Sequence, residues 1–203
     1  MVQLSTAEIE KQIANYKLQF DSMKDDEIEW KYQPPPFIAA FVAFVELHAR
    51  IPSQNEFADF YFARHRDELR AAFDARWYDP TERNRKKLAL VARLKRAYPS
   101  FVRDLYFFAL LREHKLAVEY DATRDIESGV DLLVSHNRRT IQVHVFLDSP
   151  RAKRGRATKN ARHVFAGEHL DVKLCRDHCS IVGAFWLPTM RHVEQIKIVF
   201  QEA

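Results

Sequence analysis

Three polar residues on two neighbouring apolar stretches stand where they can act together. Asp131 lies in Gly129-Val-Asp-Leu-Leu-Val-Ser135, and Gln142 and His144 lie in Thr140-Ile-Gln-Val-His-Val-Phe-Leu-Asp148. Read as strands, the two stretches alternate with period two, so Ile141, Val143 and Val145 share one face and Gln142, His144 and Phe146 the other. A two-residue turn at Asn137-Arg138, with His136 opposite Arg139, gives an even register that sets Asp131 across from His144. A carboxylate, an amide and an imidazole then share a strand face. Between Arg138 and Arg162 the chain carries Arg138, Arg139, Arg151, Lys153, Arg154, Arg156, Lys159 and Arg162 against Asp148 alone. Such a segment suits a polyanion such as a nucleic-acid backbone, although a basic run also serves as a plain solvated helix face.

The elements around this constellation follow from periodicity and caps. Ser5, Thr6 and Glu8 open a first helix, whose Ile9, Ile13, Tyr16 and Phe20 carry it to about Met23. Pro34-Pro35-Pro36 stops the chain, and Phe37 to His48, apolar nearly all round, reads as a buried helix. Ser53 caps a third helix, and further helices are expected from Arg66 to Arg76 and from Pro80 to Ala97. The Ile51 to Tyr61 segment has the pattern of a small helical DNA-binding unit, or of a packing layer whose aromatics are core. A separate helix from Pro99 to His114 precedes strands at Leu116 to Asp121, at the two stretches above, at Leu170 to Leu174 and at Ile181 to Leu187. A basic helix is expected from Arg151 to about Phe165, and the tail from Val193 to Phe200 reads as strand or short helix. The order predicts an α+β protein: a helical region over 1–98, for recognition or oligomerisation, and a mixed-sheet domain over 99–203.

Composition narrows the setting. The 203 residues carry a net charge of +4 and only two cysteines, Cys175 and Cys179. That length can bury a core without disulfides, and with no signal-peptide pattern at the start a reducing, cytoplasmic setting is expected. The best membrane candidate, Phe37 to Leu47, is too short and is broken by Glu46, so no membrane role is expected. Cys175-Arg-Asp-His178-Cys179 could seed a zinc or redox site, but lacks the second short-spaced ligand pair of a structural zinc centre. Four glycines and no G-x-S-x-G leave nucleophilic hydrolases and phosphate loops unsupported.

A helix, then G-x-D at a strand start, a turn, and a strand carrying Q-x-H resembles the PD-(D/E)XK, or restriction-endonuclease-like, nuclease superfamily over about Ser100 to Leu187. The resemblance implies a mixed sheet flanked by helices, with Asp131 in the place of the motif Asp, Gln142 in that of the acidic residue and His144 in that of the Lys. It further implies a Mg²⁺ or Mn²⁺ ion held by Asp131 and Gln142, with the Val143 carbonyl turned to the same ion and His144 steering or deprotonating water. Asp104 on the preceding helix would support them, with Glu113, Glu119 and Asp121 as further acids. Arg151, Lys153, Arg154, Arg156, Lys159 and Arg162 would grip DNA. The implied activity is DNA phosphodiester hydrolysis, in restriction or defence against foreign DNA, by a homodimer or a subunit of a larger complex. Gln142 brings no charge and His144 no fixed charge, so a catalytically degenerate nucleic-acid binder is the alternative, and a module whose basic helix meets an acidic protein is a third.

Overall fold

The computed structural model describes residues 4–20, 22–120, 130–148 and 167–201. It is a mixed α+β fold. Helices α1 (Thr6–Ile13), α2 (Phe37–His48), α3 (Gln54–Arg64), α4 (Arg66–Arg76) and α5 (Pro80–Glu113) come first. Strands β1 (Ala117–Glu119), β2 (Leu132–His136), β3 (Arg139–Leu147) and β4 (His169–Leu174) follow, then the hairpin β5 (Ser180–Val182) and β6 (Phe185–Leu187), and α6 (Met190–Gln201).

Local chemistry sets most helix starts. Ser5 and Ser53 each accept the N–H of the residue three positions on, while Glu8 and Glu56 return the bond to the cap residue's N–H. Asp79 caps α5 ahead of Pro80. On α3, Phe57 and Tyr61 are fully buried, so of the two readings of this segment the packing layer is the one observed. The first helix ends at Ile13 and does not reach Met23. Beyond it Tyr16 donates to the Ile51 carbonyl at 2.9 Å and the Gln19 N–H to Gln54 at 2.7 Å, so this stretch is held by long-range partners and not by its own turns. A π-helical turn, Glu27–Lys31, then leads to the proline run.

The two helices expected on either side of Pro99 are one helix of 34 residues. A proline inside a helix lacks the N–H that would bond the carbonyl four residues back. Here that acceptor is Lys95, and the buried Gln54 fills the gap by donating Nε2–H to the Lys95 carbonyl at 2.8 Å. The expected junction at 98/99 therefore falls inside α5, and one buried cluster takes in residues from both halves.

In the sheet, order β1-β2-β3-β4, the first three strands are antiparallel and β4 runs parallel to β3. The β2–β3 turn is the two-residue turn expected: Asn137 and Arg138 take φ of 50° and 67°, and His136 pairs with Arg139. Leu132, Val134, Ile141, Val143, Val172 and Leu174 form the core face. The expected single strand from Ile181 to Leu187 is a hairpin. It turns at Gly183, where φ is 56° and a Cβ would lie 2.7 Å from the Ala14 carbonyl oxygen. The tail is helix.

Two outcomes follow for stability. Gln54→Leu leaves the Lys95 carbonyl buried and unpaired, and is expected to cost about 1–3 kcal/mol in urea unfolding, with faster amide exchange around Pro99. Arg50, hydrogen-bonded to Glu56, lowers the Glu56 pKa to about 2 from its ordinary 4.5. A depressed carboxyl pKa gives stability that is present above 4.5 and lost as pH falls towards 2, so the Tm of wild type should drop across that window more steeply than that of Glu56→Gln.

Candidate active site on the polar sheet face

The face of β3 opposite the core carries Gln142 and His144, as alternation predicts. Parallel pairing with β4 sets His169 beside Gln142 and Asp171 beside His144. The His144 ring is 2% exposed and stands 6.3 Å from the His169 ring. His169 and Asp171 were not among the sequence candidates. Their signal was present in His169-x-Asp171-x-Lys173 interleaved with Leu170, Val172 and Leu174, but which strand they would join depends on a crossover that local pattern does not specify.

Asp131 sits where the β2–β3 ladder ends. Pairing runs in the expected register as far as Leu132 with Val143. One step further, the Asp131 N–H bonds the Val143 carbonyl at 3.1 Å, a residue off that register, and the Val145 N–H donates to Asp131 Oδ2 at 2.6 Å. The carboxylate thus takes the place of a backbone acceptor of β2, in the manner of a strand that leaves its ladder through a bulge. One expectation is corrected. Asp131 is not squarely across from His144 but in the seam beside it, where its N–H bonds the Val143 carbonyl.

Asp104 borders α2. Half-buried on α5, it lines a cavity of about 10 Å³ with Ile38, Phe41, Val42 and Val45 of α2 and with Tyr120. The neighbouring residue, Arg103, is the one that α5 brings near Asp131. Burial pushes the Arg103 pKa down, while Asp104, Cys179 and Asp131 are close enough to act on it electrostatically in the opposite sense. Arg139, one of the basic residues ahead of the run, is structural: its Nε donates to Glu168 at 2.8 Å and its Nη1 to the Val199 carbonyl at 2.7 Å, tying β3 to the end of α6. Arg151, Lys153, Arg154, Arg156, Lys159 and Arg162, and also Asp121, lie outside the described residues.

Among the described residues no three His, Cys, Asp or Glu side chains form a group able to hold a metal. Cys175 and Cys179 flank the short 3-10 turn Arg176–His178. Burial raises the Cys179 pKa, which is opposite to the shift a reactive thiolate requires.

Asp131→Ala strands the Val145 N–H and is expected to lower stability by about 1–3 kcal/mol, while Asp131→Asn keeps an acceptor oxygen and should cost less; urea unfolding of the two variants measures the difference. No protein-family model, curated protein or solved structure matches this chain, so the geometry of this face carries its functional reading.

Proposed function

We propose that this chain is a metal-dependent endonuclease of the PD-(D/E)XK kind that hydrolyses DNA phosphodiester bonds at the end of β2 and β3. The observation that carries the reading is the anchored carboxylate: Asp131, held by the Val145 N–H, sits one register step from Gln142 and His144. The order of elements supports it, with a helix, three antiparallel strands, a crossover and a fourth strand parallel to the third.

The donor set suits a hard cation of low protein charge. Mg²⁺ commonly takes one or two carboxylates and completes its shell with water and substrate phosphate, and ligating carboxylates are themselves hydrogen-bonded, as Asp131 is. Asp131 and Gln142 would hold Mg²⁺ or Mn²⁺. Bound there, the ion would supply positive charge to the phosphate and a water of lowered pKa. The chain's own residues do the rest. The bond to Val145 fixes the Asp131 carboxylate against the strand, and His144, shielded from bulk water, orients the attacking water and takes its proton. Arg151, Lys153, Arg154, Arg156, Lys159 and Arg162 hold the DNA backbone without reading its sequence. Restriction or defence in the cytoplasm, as a homodimer or within a larger complex, is the role that accords with this chemistry.

A second reading, a nuclease-like fold that binds nucleic acid without cutting it, is favoured by the neutral Gln142 amide, which leaves Asp131 as the only carboxylate of the pair. Plasmid and linear DNA incubated with Mg²⁺ or Mn²⁺ separate the two. Wild type should cleave, Asp131→Asn should not, and His144→Ala should cleave about 10²- to 10⁴-fold more slowly at unchanged DNA affinity. Cleavage that survives in Asp131→Asn overturns the site, and salt-sensitive binding without cleavage by wild type selects the second reading.

A further inference from the structure

Helices α3, α4 and α5 line an open cleft of about 580 Å³ in the helical half of the molecule, to which no residue of the polar sheet face contributes. That volume falls within the roughly 300–1,000 Å³ of small-ligand clefts. Each helix turns one face to it. Asp59, Phe62 and Ala63 fall at i, i+3 and i+4 on α3, and Arg66, Leu69, Arg70 and Phe73 continue that spacing on α4, while Arg83 and Lys87 lie one turn apart on α5. The floor is apolar: Leu69 and Phe73 are buried, and Phe62 is half-buried with its ring perpendicular to that of Tyr61.

Charge around this floor is unbalanced. Arg83 is committed to the fold, bonding Asp74 at 2.7 Å and the Trp77 and Tyr78 carbonyls at 2.9 and 3.3 Å. Asp74 is thereby engaged, and Arg70, its side chain 77% exposed, meets it only at 3.8 Å. Arg66 and Lys87 are exposed and form no hydrogen bond or ion pair among the described residues, and the same holds for Asp59. Three cations therefore border the cleft with one uncommitted carboxylate, an excess of two positive charges. Such an excess draws an anion, and the aromatic floor suits one with a flat apolar body. A phosphate monoester carries about −1.5 to −2 at pH 7, which matches the excess better than the single charge of a carboxylate. Asp59 accepts hydrogen bonds and donates none, so it calls for an amino or hydroxyl group on the same ligand.

We propose that the cleft between α3, α4 and α5 binds a nucleoside monophosphate whose base carries an amino group. Arg66, Arg70 and Lys87 take the phosphate, the guanidinium forks matching its oxygens in paired bonds. Phe62, Leu69 and Phe73 receive the base, and Asp59 accepts from its amino group. This site goes beyond the phosphodiester reading of the sheet face and does not depend on it.

The test is isothermal titration calorimetry of the full chain with AMP, CMP, GMP, UMP and inorganic phosphate. It is repeated for the double variant Arg66→Gln/Lys87→Gln and for Asp59→Ala, with Tm measured for each. Wild type is expected to bind at least one of AMP, CMP and GMP about tenfold or more tighter than both UMP and inorganic phosphate. The double variant should lose about tenfold in affinity for each cation removed, at unchanged Tm, because both side chains are exposed and unpaired. Asp59→Ala should erase the preference over UMP without weakening UMP itself. Should the double variant lose stability, Lys87→Gln alone decides, by a tenfold loss at unchanged Tm or by none. Nucleotide affinity no better than that of inorganic phosphate, or equal in wild type and the cation variants, overturns the proposal. So does a 5′-phosphorylated oligodeoxynucleotide that binds through Arg66 and Lys87 where no mononucleotide does, since the cleft then belongs to the path of a nucleic-acid strand.

Discussion

The structure depends on one carbonyl being satisfied from outside its own helix. α5 spans 34 residues, or about 50 Å, and packs against α1, α2, α3, the π-helical turn, β1 and β6. Broken at Pro99, it would give two helices free to set their own angle, and the helical half would lose its fixed relation to the sheet. Gln54 prevents this by closing the hydrogen bond that proline cannot make. Its amide oxygen also accepts the Gln19 N–H, so a single buried side chain fastens α5, the start of α3 and the extended stretch after α1. Tyr98, fully buried, adds a second tie on the same turn through its hydroxyl and the Pro52 carbonyl.

With α5 continuous, its last third lies along the sheet, and the consequences for the candidate site are geometric. Helix residues four apart share a face, whereas neighbours diverge by about 100°. Asp104 lines the small cavity against α2, and Arg103 lies near Asp131 and Cys179.

How far the sequence discloses this fold depends on how local the deciding interaction is. The turn at Asn137-Arg138, the caps at Ser5 and Ser53, the buried helix after the three prolines and the register of β2 against β3 are settled by residues a few positions apart, and all are legible. Pro99 misleads because the side chain that rescues it, Gln54, is 41 residues from the Lys95 carbonyl it satisfies. Tyr16 and Phe20 misleadingly extend the periodicity of α1 because their stretch is held by Ile51 and Gln54. The pairing of Gln142 with His169 and of His144 with Asp171 is invisible to alternation, which assigns faces but not neighbours across a crossover. Asp131 stands between these cases. Its strand position is legible, while the slip that puts its carboxylate onto the Val145 N–H is a tertiary outcome.

That slip bears on how the site divides binding from chemistry. A carboxylate standing free on the Gln142 and His144 face would be repelled or attracted by whatever that face meets, and its orientation would follow the ligand. Bound to Val145, Asp131 is oriented by the sheet itself, so little of the cost of ordering it remains to be met when a ligand arrives. The same bond holds it in the seam between β2 and β3, while Asp171 lies on the other neighbour of β3. Negative charge on this surface is therefore split into two places. Asp131 lies beside a permanent cation and an amide, and Asp171 lies beside His144 and next to His169 on its own strand.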